Sequence, residues 1–527
     1  MGILDYAWLG IVKVFTEAPM FAIAGIPVST AVVMVTTGLL AGIVVGATPG
    51  LAGPFAMAIA LPLLISVFGV NADALLPVIG FLIGIMKGAT IGGAVPAILF
   101  NTPGTPDAMM TTFDGYPMTK NGQAGKALRV SHFSSVSGDT FSDLVLITSA
   151  PFLAVAVEAF LGFPEKAALM ILSLSFIAAV VGKSVTKGLL SAFLGLLFAS
   201  IATGEDQYPR LSLGSSELAA GIPVITAVLG VLIIGELFVS IEDMWRERRA
   251  GLAITRHDMK GDNKLHLADI KRIFPFIGVG AVIGTIIGAL PGIGSTLAAT
   301  LGYATGRKMH KGEIPFGKGA MEGVASTESA NSAVSGANLI PVLSLGIPGN
   351  VAAAFIILAT DSIGGFNPGP SVFRMPQGDI NPELIIAFGL FTMMMFANFL
   401  NWTIGGAFMR SCGIMVRIPK QVLIPAVLLL TLTAIYVQET SMASILFALF
   451  FGLLGYVMRR LHISVLPFVI TYILAGNLET MLRQAFSASG GDPWFLFTSP
   501  LSIVFMAMSA GIVFYFGRGR SSMQGRP

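Results

Sequence analysis

The chain has 527 residues, 54% hydrophobic and only 11% charged, with a formal net charge of +3 and mean hydropathy +0.82. Soluble domains carry about 25% charged residues, so this composition excludes a soluble globular class. No basic stripe or stacking platform stands out, which excludes nucleic acid as a partner, and the single cysteine, Cys412, excludes an intrachain disulfide and a multi-cysteine metal site. A membrane span needs about 20 mostly apolar residues, and about ten to twelve hydrophobic segments qualify once interrupted stretches are counted. The expected fold is an all-α polytopic membrane protein in a lipid bilayer.

Residues 1–24 have no basic start, and Lys13 interrupts their apolar run. They read as an interfacial or oblique helix rather than a cleaved signal. Residues 25–140 form a first repeat, with GATPGLAG at 46–53 and PAILFNTPG at 96–104. Lys87 lies between these motifs, inside GFLIGIMKGATIGGAVPAIL. An ammonium at that depth needs a partner, so it marks a functional position by default. It can attract an anion, stand in for a coupling cation, or simply form a structural ion pair or snorkel. DGYP, Asp114 to Pro117, reads as a tight turn or lid within a charged loop, 105–140, that carries Lys120, Lys126 and Arg129.

Apolar runs over 142–161, 165–182, 185–203 and 218–241 make 141–241 a set of transmembrane helices. The stretch 204–217 sets three acids against Arg210 and falls outside, whereas the linker 242–272, rich in Lys and Arg, falls in the cytoplasm. Residues 273–382 form a second repeat, with GALPGIGS at 288–295 and PVLSLGIPG at 341–349. Pro291 follows Pro49 by 242 residues, and Pro341 and Pro348 follow Pro96 and Pro103 by 245. One unit has been duplicated. Glu328, in GVASTESANSAVSG, can ligate sodium with Asn331 or carry a proton; the plainer reading is a helix N-terminal carboxylate at the membrane edge. It is a near-counterpart of Lys87, and a pairing between the two stays open. Residues 383–517 hold further transmembrane helices, and the tail 518–527, with Arg518, Arg520 and Arg526, falls in the cytoplasm.

Matching loops of the two repeats differ in charge. Residues 66–74 lack Lys and Arg, while their counterpart 305–318 holds Arg307, Lys308, Lys311 and Lys318. After the second break the bias reverses, because 105–140 is basic and 361–382 carries only Arg374. The repeats therefore read as inverted in topology, with four Pro-Gly-broken helices or re-entrant hairpins near one mid-membrane axis. Proline removes a backbone donor and glycine tolerates positive φ, so each break frees backbone groups. A helix starting after a break presents N–H groups suited to a carboxylate. The candidate substrate-binding residues are Thr48, Pro49, Gly50, Asn101, Thr102, Pro103, Gly104, Pro291, Gly292, Ser295, Thr296, Pro348, Gly349 and Asn350. Simple kinks and small-residue helix contacts are the alternative.

The stretches GATPGLAG, IGGAVPAILFNTPGTP, DGYPMTKNGQAGKAL, GALPGIGS, GVASTESANSAV, LIPVLSLGIPG and GGFNPGP occur in that order over 38–130 and 278–370. Together they resemble the large membrane subunit of the tripartite tricarboxylate transporter family, and length and hydropathy extend the resemblance over essentially the whole chain. The resemblance implies a small four-helix membrane subunit and a periplasmic solute-binding protein as partners, and a bacterial inner-membrane location. It also implies secondary active uptake of an organic di- or tricarboxylate, driven by a sodium or proton gradient. The Pro-Gly motifs would be the substrate and cation region, and the acidic-amide pattern falls on Glu328 and Asn331. No cofactor is implied beyond a candidate sodium ion near those two residues. The chain departs from the family pattern at Lys87, where an aromatic or small residue is usual, and at Ser332, where a second Asn is usual.

The expected function is thus import by alternating access, either rocking or elevator-like, with no enzymatic activity. Two rivals remain: an intramembrane enzyme pairing Lys87 with a Ser or Thr, and an uncoupled anion channel. No Walker loop, Gly-x-Ser-x-Gly or His-Glu-x-x-His motif is present, and no paired membrane-embedded aspartates are expected.

Overall fold

Backbone polar groups cannot be left unpaired in hydrocarbon, so apolar stretches of this length fold as helices. The computed structural model describes residues 2–23, 26–48, 51–180, 184–201, 210–211, 214, 216–219, 221–247, 263–375, 380–411 and 420–521. Helix α1 (Ile3–Thr16) leads into a small antiparallel hairpin, β1 (Pro19–Ile23) and β2 (Ile26–Ser29). Then come α2 (Thr30–Gly46), α3 (Gly53–Phe68), α4 (Ala72–Phe100), α5 (Thr112–Lys120), α6 (Ala124–Phe160), α7 (Phe163–Val180) and α8 (Val185–Ala199). The short α9 (Ser216–Ala219) precedes α10 (Val224–Leu229) and α11 (Gly235–Glu247), which are joined through a π turn. The second half runs α12 (Leu267–Gly288), α13 (Ser295–Met309), α14 (Met321–Ala337), α15 (Leu339–Leu345) and α16 (Val351–Ile363). It continues with α17 (Pro382–Leu400), α18 (Gly406–Ser411), α19 (Lys420–Glu439), α20 (Met442–Arg460), α21 (Leu466–Ala488) and α22 (Pro500–Ser521). Among the described residues six helices are long and apolar enough to cross a membrane, and six shorter ones are apolar. The architecture is all-α and polytopic, as the composition implies.

The chain divides into two compact units. The first takes residues 1–155, 252–290 and 294–419 and holds both repeats. In each repeat a long helix, a shorter helix and a second long helix follow one another: α2, α3, α4 and then α12, α13, α14. Small residues let the long helices touch backbone to backbone. Gly38, Gly42 and Gly46 of α2 interlock with Gly84, Gly88 and Gly92 of α4, and a Cβ at Gly42 would stand 2.6 Å from the Ile85 carbonyl oxygen. In the second repeat Gly280, Gly284 and Gly288 of α12 press on α14, each exactly one repeat offset of 242 residues beyond its α2 counterpart.

All four breaks interrupt helices. Residues 47–48, 51–52, 101–105, 289–294 and 346–350 are non-helical. Helix α4 ends in Asn101 in the left-handed region (φ 55°, ψ 27°), and α15 ends the same way in Gly346 (φ 71°, ψ 21°). In each corner the next N–H returns to the repeated proline, from Thr102 to the Pro96 carbonyl and from Ile347 to the Pro341 carbonyl, both at 3.2 Å. This is a glycine-type helix stop, which uses up the carbonyls that the helix end orphans.

Two readings of the first repeat need correction. Residues 105–140 are not a charged loop, because they form a 3-10 turn (Pro106–Met109), α5 and the first half of α6. DGYP is not an exposed turn either. Asp114 lies inside α5, fully buried, and its Oδ1 accepts the backbone N–H groups of Gly317, Gly319 and Ala320 at 2.8–2.9 Å. Its Oδ2 accepts the Tyr303 hydroxyl at 3.0 Å. Asp114 thereby pins the loop that starts α14. Asp114→Ala would leave three donors without that acceptor, at about 1–3 kcal/mol for a buried unsatisfied group. Thermal unfolding in detergent should show the loss, with Asp114→Asn between the two; equal melting of Ala variant and wild type would refute the role.

The second unit takes residues 156–251, 291–293 and 420–527. Its aromatic core joins Phe198 of α8, Phe451 of α20, and Phe468 and Tyr472 of α21. The π turn between α10 and α11 frees the carbonyls of Val231 and Leu232, and the Arg459 guanidinium donates to both, at 2.7 and 2.9 Å.

Candidate transport core

The interior of the first unit is polar where its helices converge. On α6, Ser131, Ser135, Asp139 and Ser142 recur at helical spacing, so they share one face, and all are buried. On α14, Glu328, Asn331 and Ser335 do the same, with buried Asn338 at its C-cap. The two helices approach closely. A Cβ at Gly138 of α6 would strike the α14 backbone at Ser329, and one at Gly336 of α14 would strike the Asp143 carboxylate.

Lys87 sits on α4 with 1% of its surface exposed. Its Nζ donates to Asp139 Oδ1 at 2.8 Å, Asp143 Oδ2 at 2.7 Å and Asn398 Oδ1 at 3.2 Å. Asn398 of α17 donates in turn to Asp143 Oδ2 at 2.7 Å, and Ser335 of α14 donates to Asp139 Oδ1. Lys87 therefore pairs with α6 and not with Glu328. Nor does Glu328 stand at a helix start: it is the eighth residue of α14 and fully buried. Thr111 donates to its Oε1 and Ser135 to its Oε2, the latter at 3.0 Å. One turn on, Asn331 is 1% exposed, and neither its side-chain oxygen nor its nitrogen has a partner among the described residues. The buried hydroxyls of Thr327 and Ser332 are likewise unpaired. Buried polar atoms are normally hydrogen-bonded, so an unpaired group of this kind calls for water, an ion or a solute.

Segment 101–111 ties three of the breaks to this interior. Gly104 is buried, its N–H donates to the Gly93 carbonyl at 3.3 Å, and a Cβ there would strike the Gly46 carbonyl at the end of α2. The first break is thus against the second, with Thr48 buried and its hydroxyl on the Val44 carbonyl at 2.9 Å. Asn101 and Thr102 are exposed, and Pro103 is half-buried. Further along, Asp107 Oδ1 accepts the Thr296 hydroxyl at 2.5 Å, bringing in the start of α13 beside half-buried Ser295. Thr111 then reaches Glu328.

The other predicted residues lie apart from that segment. Gly292 (φ 81°) is buried against Ile177 within the second unit, next to half-buried Pro291. Pro348 and Gly349 are buried, with Gly349 against the Asn338 backbone, and Asn350 caps α16 by accepting the Ala353 N–H at 2.9 Å. Pro49 and Gly50 lie outside the described residues. Asp107, Thr111, Ser135, Asp139, Asp143 and Asn398 were missed. For the two α6 aspartates a signal existed: carboxylates four residues apart, in a Ser-rich run leading into apolar sequence, share a helix face.

Fully buried ionisable side chains on apolar helices, beside interrupted helix ends, are the construction of membrane transport proteins. The chain belongs to the tripartite tricarboxylate transporter TctA family, whose profile matches residues 32–470. It is 31% identical over 483 residues to an uncharacterized 52.8 kDa protein in the TAR-I ttuC' 3' region of Agrobacterium vitis, covering 90% of this chain and 91% of the relative. A second Agrobacterium vitis protein, uncharacterized and in the TAR-II ttuC' 3' region, is 31% identical over 223 residues, covering 42% of this chain and 87% of that relative. No solved structure matches. The chain is accordingly a multi-pass membrane component of a tripartite tricarboxylate transporter, a system that works with other subunits and a binding protein.

Proposed function

We propose that this chain is the inner-membrane permease of such a system, importing an organic di- or tricarboxylate by secondary active transport. A periplasmic binding protein would deliver the solute, and a small four-helix membrane subunit would complete the assembly. The observation that carries the reading is Glu328: a fully buried carboxylate with hydroxyl partners, no cationic one, and an unpaired Asn331 one turn away. A lone buried carboxylate is strongly disfavoured, and a monovalent cation neutralises it. Glu328, Thr111, Ser135 and Asn331 offer the hard oxygen donors that suit sodium, and a proton on Glu328 serves the same end. The substrate's carboxylates are suited to the N-terminal turns of α13 and α16, where free N–H groups and the helix dipole favour anions. At the start of α13 the Thr296 hydroxyl already donates to one carboxylate, that of Asp107.

Lys87 supports a carrier over an enzyme. A general-base lysine must be neutral, whereas this one is clamped by two carboxylates and an amide oxygen. The test is solute accumulation in proteoliposomes holding the chain with its partner subunits, under imposed sodium or proton gradients. Glu328→Gln should lower accumulation by about 5–150-fold, the span of a typical coupling free energy. Full accumulation by that variant would remove Glu328 from the coupling path, and uncoupled flux in the wild type would make the protein a channel.

A further inference from the structure

The cluster around Lys87 holds two carboxylates and one ammonium, so its charges do not cancel. With both carboxylates ionised, Asp139 and Asp143 bring one negative charge each against one positive charge on Lys87, and Ser335 and Asn398 bring none. Among the described residues of α2, α4, α6, α14 and α17, no other charged group compensates. Helix α2 has none, α4 has only Asp73 in its first turn, and α17 only Glu383 in its first turn. On α6, Lys126, Arg129 and His132 lie two or more turns towards its start, and Glu158 lies at its far end. On α14 the remaining charges are Glu322 and Glu328, both negative. The cluster's own donors are used: the Lys87 ammonium makes three contacts, its full complement, and Ser335 and Asn398 each donate to a carboxylate. One acceptor is left over. Asp143 Oδ1 is fully buried and has no hydrogen-bond partner among the described residues.

We propose that Asp143, set by Lys87 and Asp139, is a proton-carrying site, separate from the cation site at Glu328. This rests on the reading of the chain as a coupled permease. A proton binds Asp143 Oδ1 from one aqueous face and brings the cluster to zero net charge; its release on the other face restores one negative charge. Sodium is the poorer fit, because it needs a shell of several oxygens, while Asp143 Oδ1 is pressed against Gly336 of α14 and the neighbouring ammonium already fills the gap between the carboxylates. The neutral cluster favours the state in which the core moves, and the charged one resists it. That difference between states is what lets a proton drive transport.

The test uses the complete transporter in liposomes and pairs transport with difference infrared spectroscopy. In a Glu328→Gln background, a pH step should show a protonating buried carboxyl band, and Asp143→Asn should abolish it. With Glu328 intact, Asp143→Asn should lower pH-gradient-driven accumulation about tenfold more than it lowers solute exchange without a gradient, as expected when one coupling interaction is removed. Asp139→Asn cancels the same charge and should show the same split, which covers a failure of the first variant to fold. A wild type without the band, a band that survives both substitutions, or accumulation that falls only as far as exchange does would each overturn the inference. A transporter that shows the Asp143 band yet moves no carboxylate under either gradient would instead sink the transport reading and leave the proton site standing.

Discussion

Lys87→Met should destabilise the protein by about 3–5 kcal/mol, the range measured when one partner of a buried ion pair is removed. The reason is what stays behind. Asp139 and Asp143, 2% and 0% exposed, would face each other across the vacated space as two like charges with only Ser335 and Asn398 to solvate them. Unfolding in detergent should move down sharply, and monodisperse protein should be scarce. The triple variant Lys87→Met, Asp139→Asn, Asp143→Asn removes the charges together and should regain most of the loss, since members of one network are not additive. A single Met variant that melts within about 0.5 kcal/mol of wild type, the usual range for surface changes, would show that the cluster does not hold these helices.

Gly42→Leu should be comparably severe, for a steric reason. The new Cβ would meet the Ile85 carbonyl at 2.6 Å and the Ile85 Cα at 2.8 Å, and both are backbone. A side-chain clash can be relieved by a rotamer change, but this one requires α2 and α4 to part. Overpacking a core typically costs about 1–3 kcal/mol when side chains can shift, and this site should reach or exceed the upper figure. Gly278→Leu on α12 is the matched control, since a Cβ there meets nothing within 4 Å. Protein yield and melting should separate the two variants. If they behave alike, close backbone contact is not what sets the seam.

The interruptions were legible because proline and glycine act locally: the non-helical residues 47–48, 51–52, 101–105, 289–294 and 346–350 all fall at the repeated Pro-Gly motifs. Lys87 was legible as a charge inside apolar sequence, and Glu328 as its companion in the other half. Their partners were not. The stretch SHFSSVSGDTFSD (131–143) is rich in hydroxyls and follows Lys120, Lys126 and Arg129, so its residues up to 140 were assigned to a loop and the last two to the start of an apolar run. Its polarity belongs to a face turned inward, against α4 and α14, where small hydroxyls replace the water that the reading assumed. The polar face of α14 misled similarly, placing Glu328 at an edge when Ser, Thr and Asn surround it at depth. In a soluble protein polar runs point outward; in a transport core they point to the solute.

The twin corners after Pro96 and Pro341 share one backbone path but not one residue. At Gly346 a Cβ would press on the Pro368 carbonyl oxygen at 2.9 Å, so the second copy is bound to glycine by both dihedral and space. Asn101 is exposed, and asparagine tolerates the left-handed region well enough to hold the same stop. After duplication, then, the shape of the bend was inherited while its residue drifted as far as each new neighbourhood allowed. At this bend the left-handed dihedrals and the flanking prolines recur between the two copies, while the residue that adopts them does not.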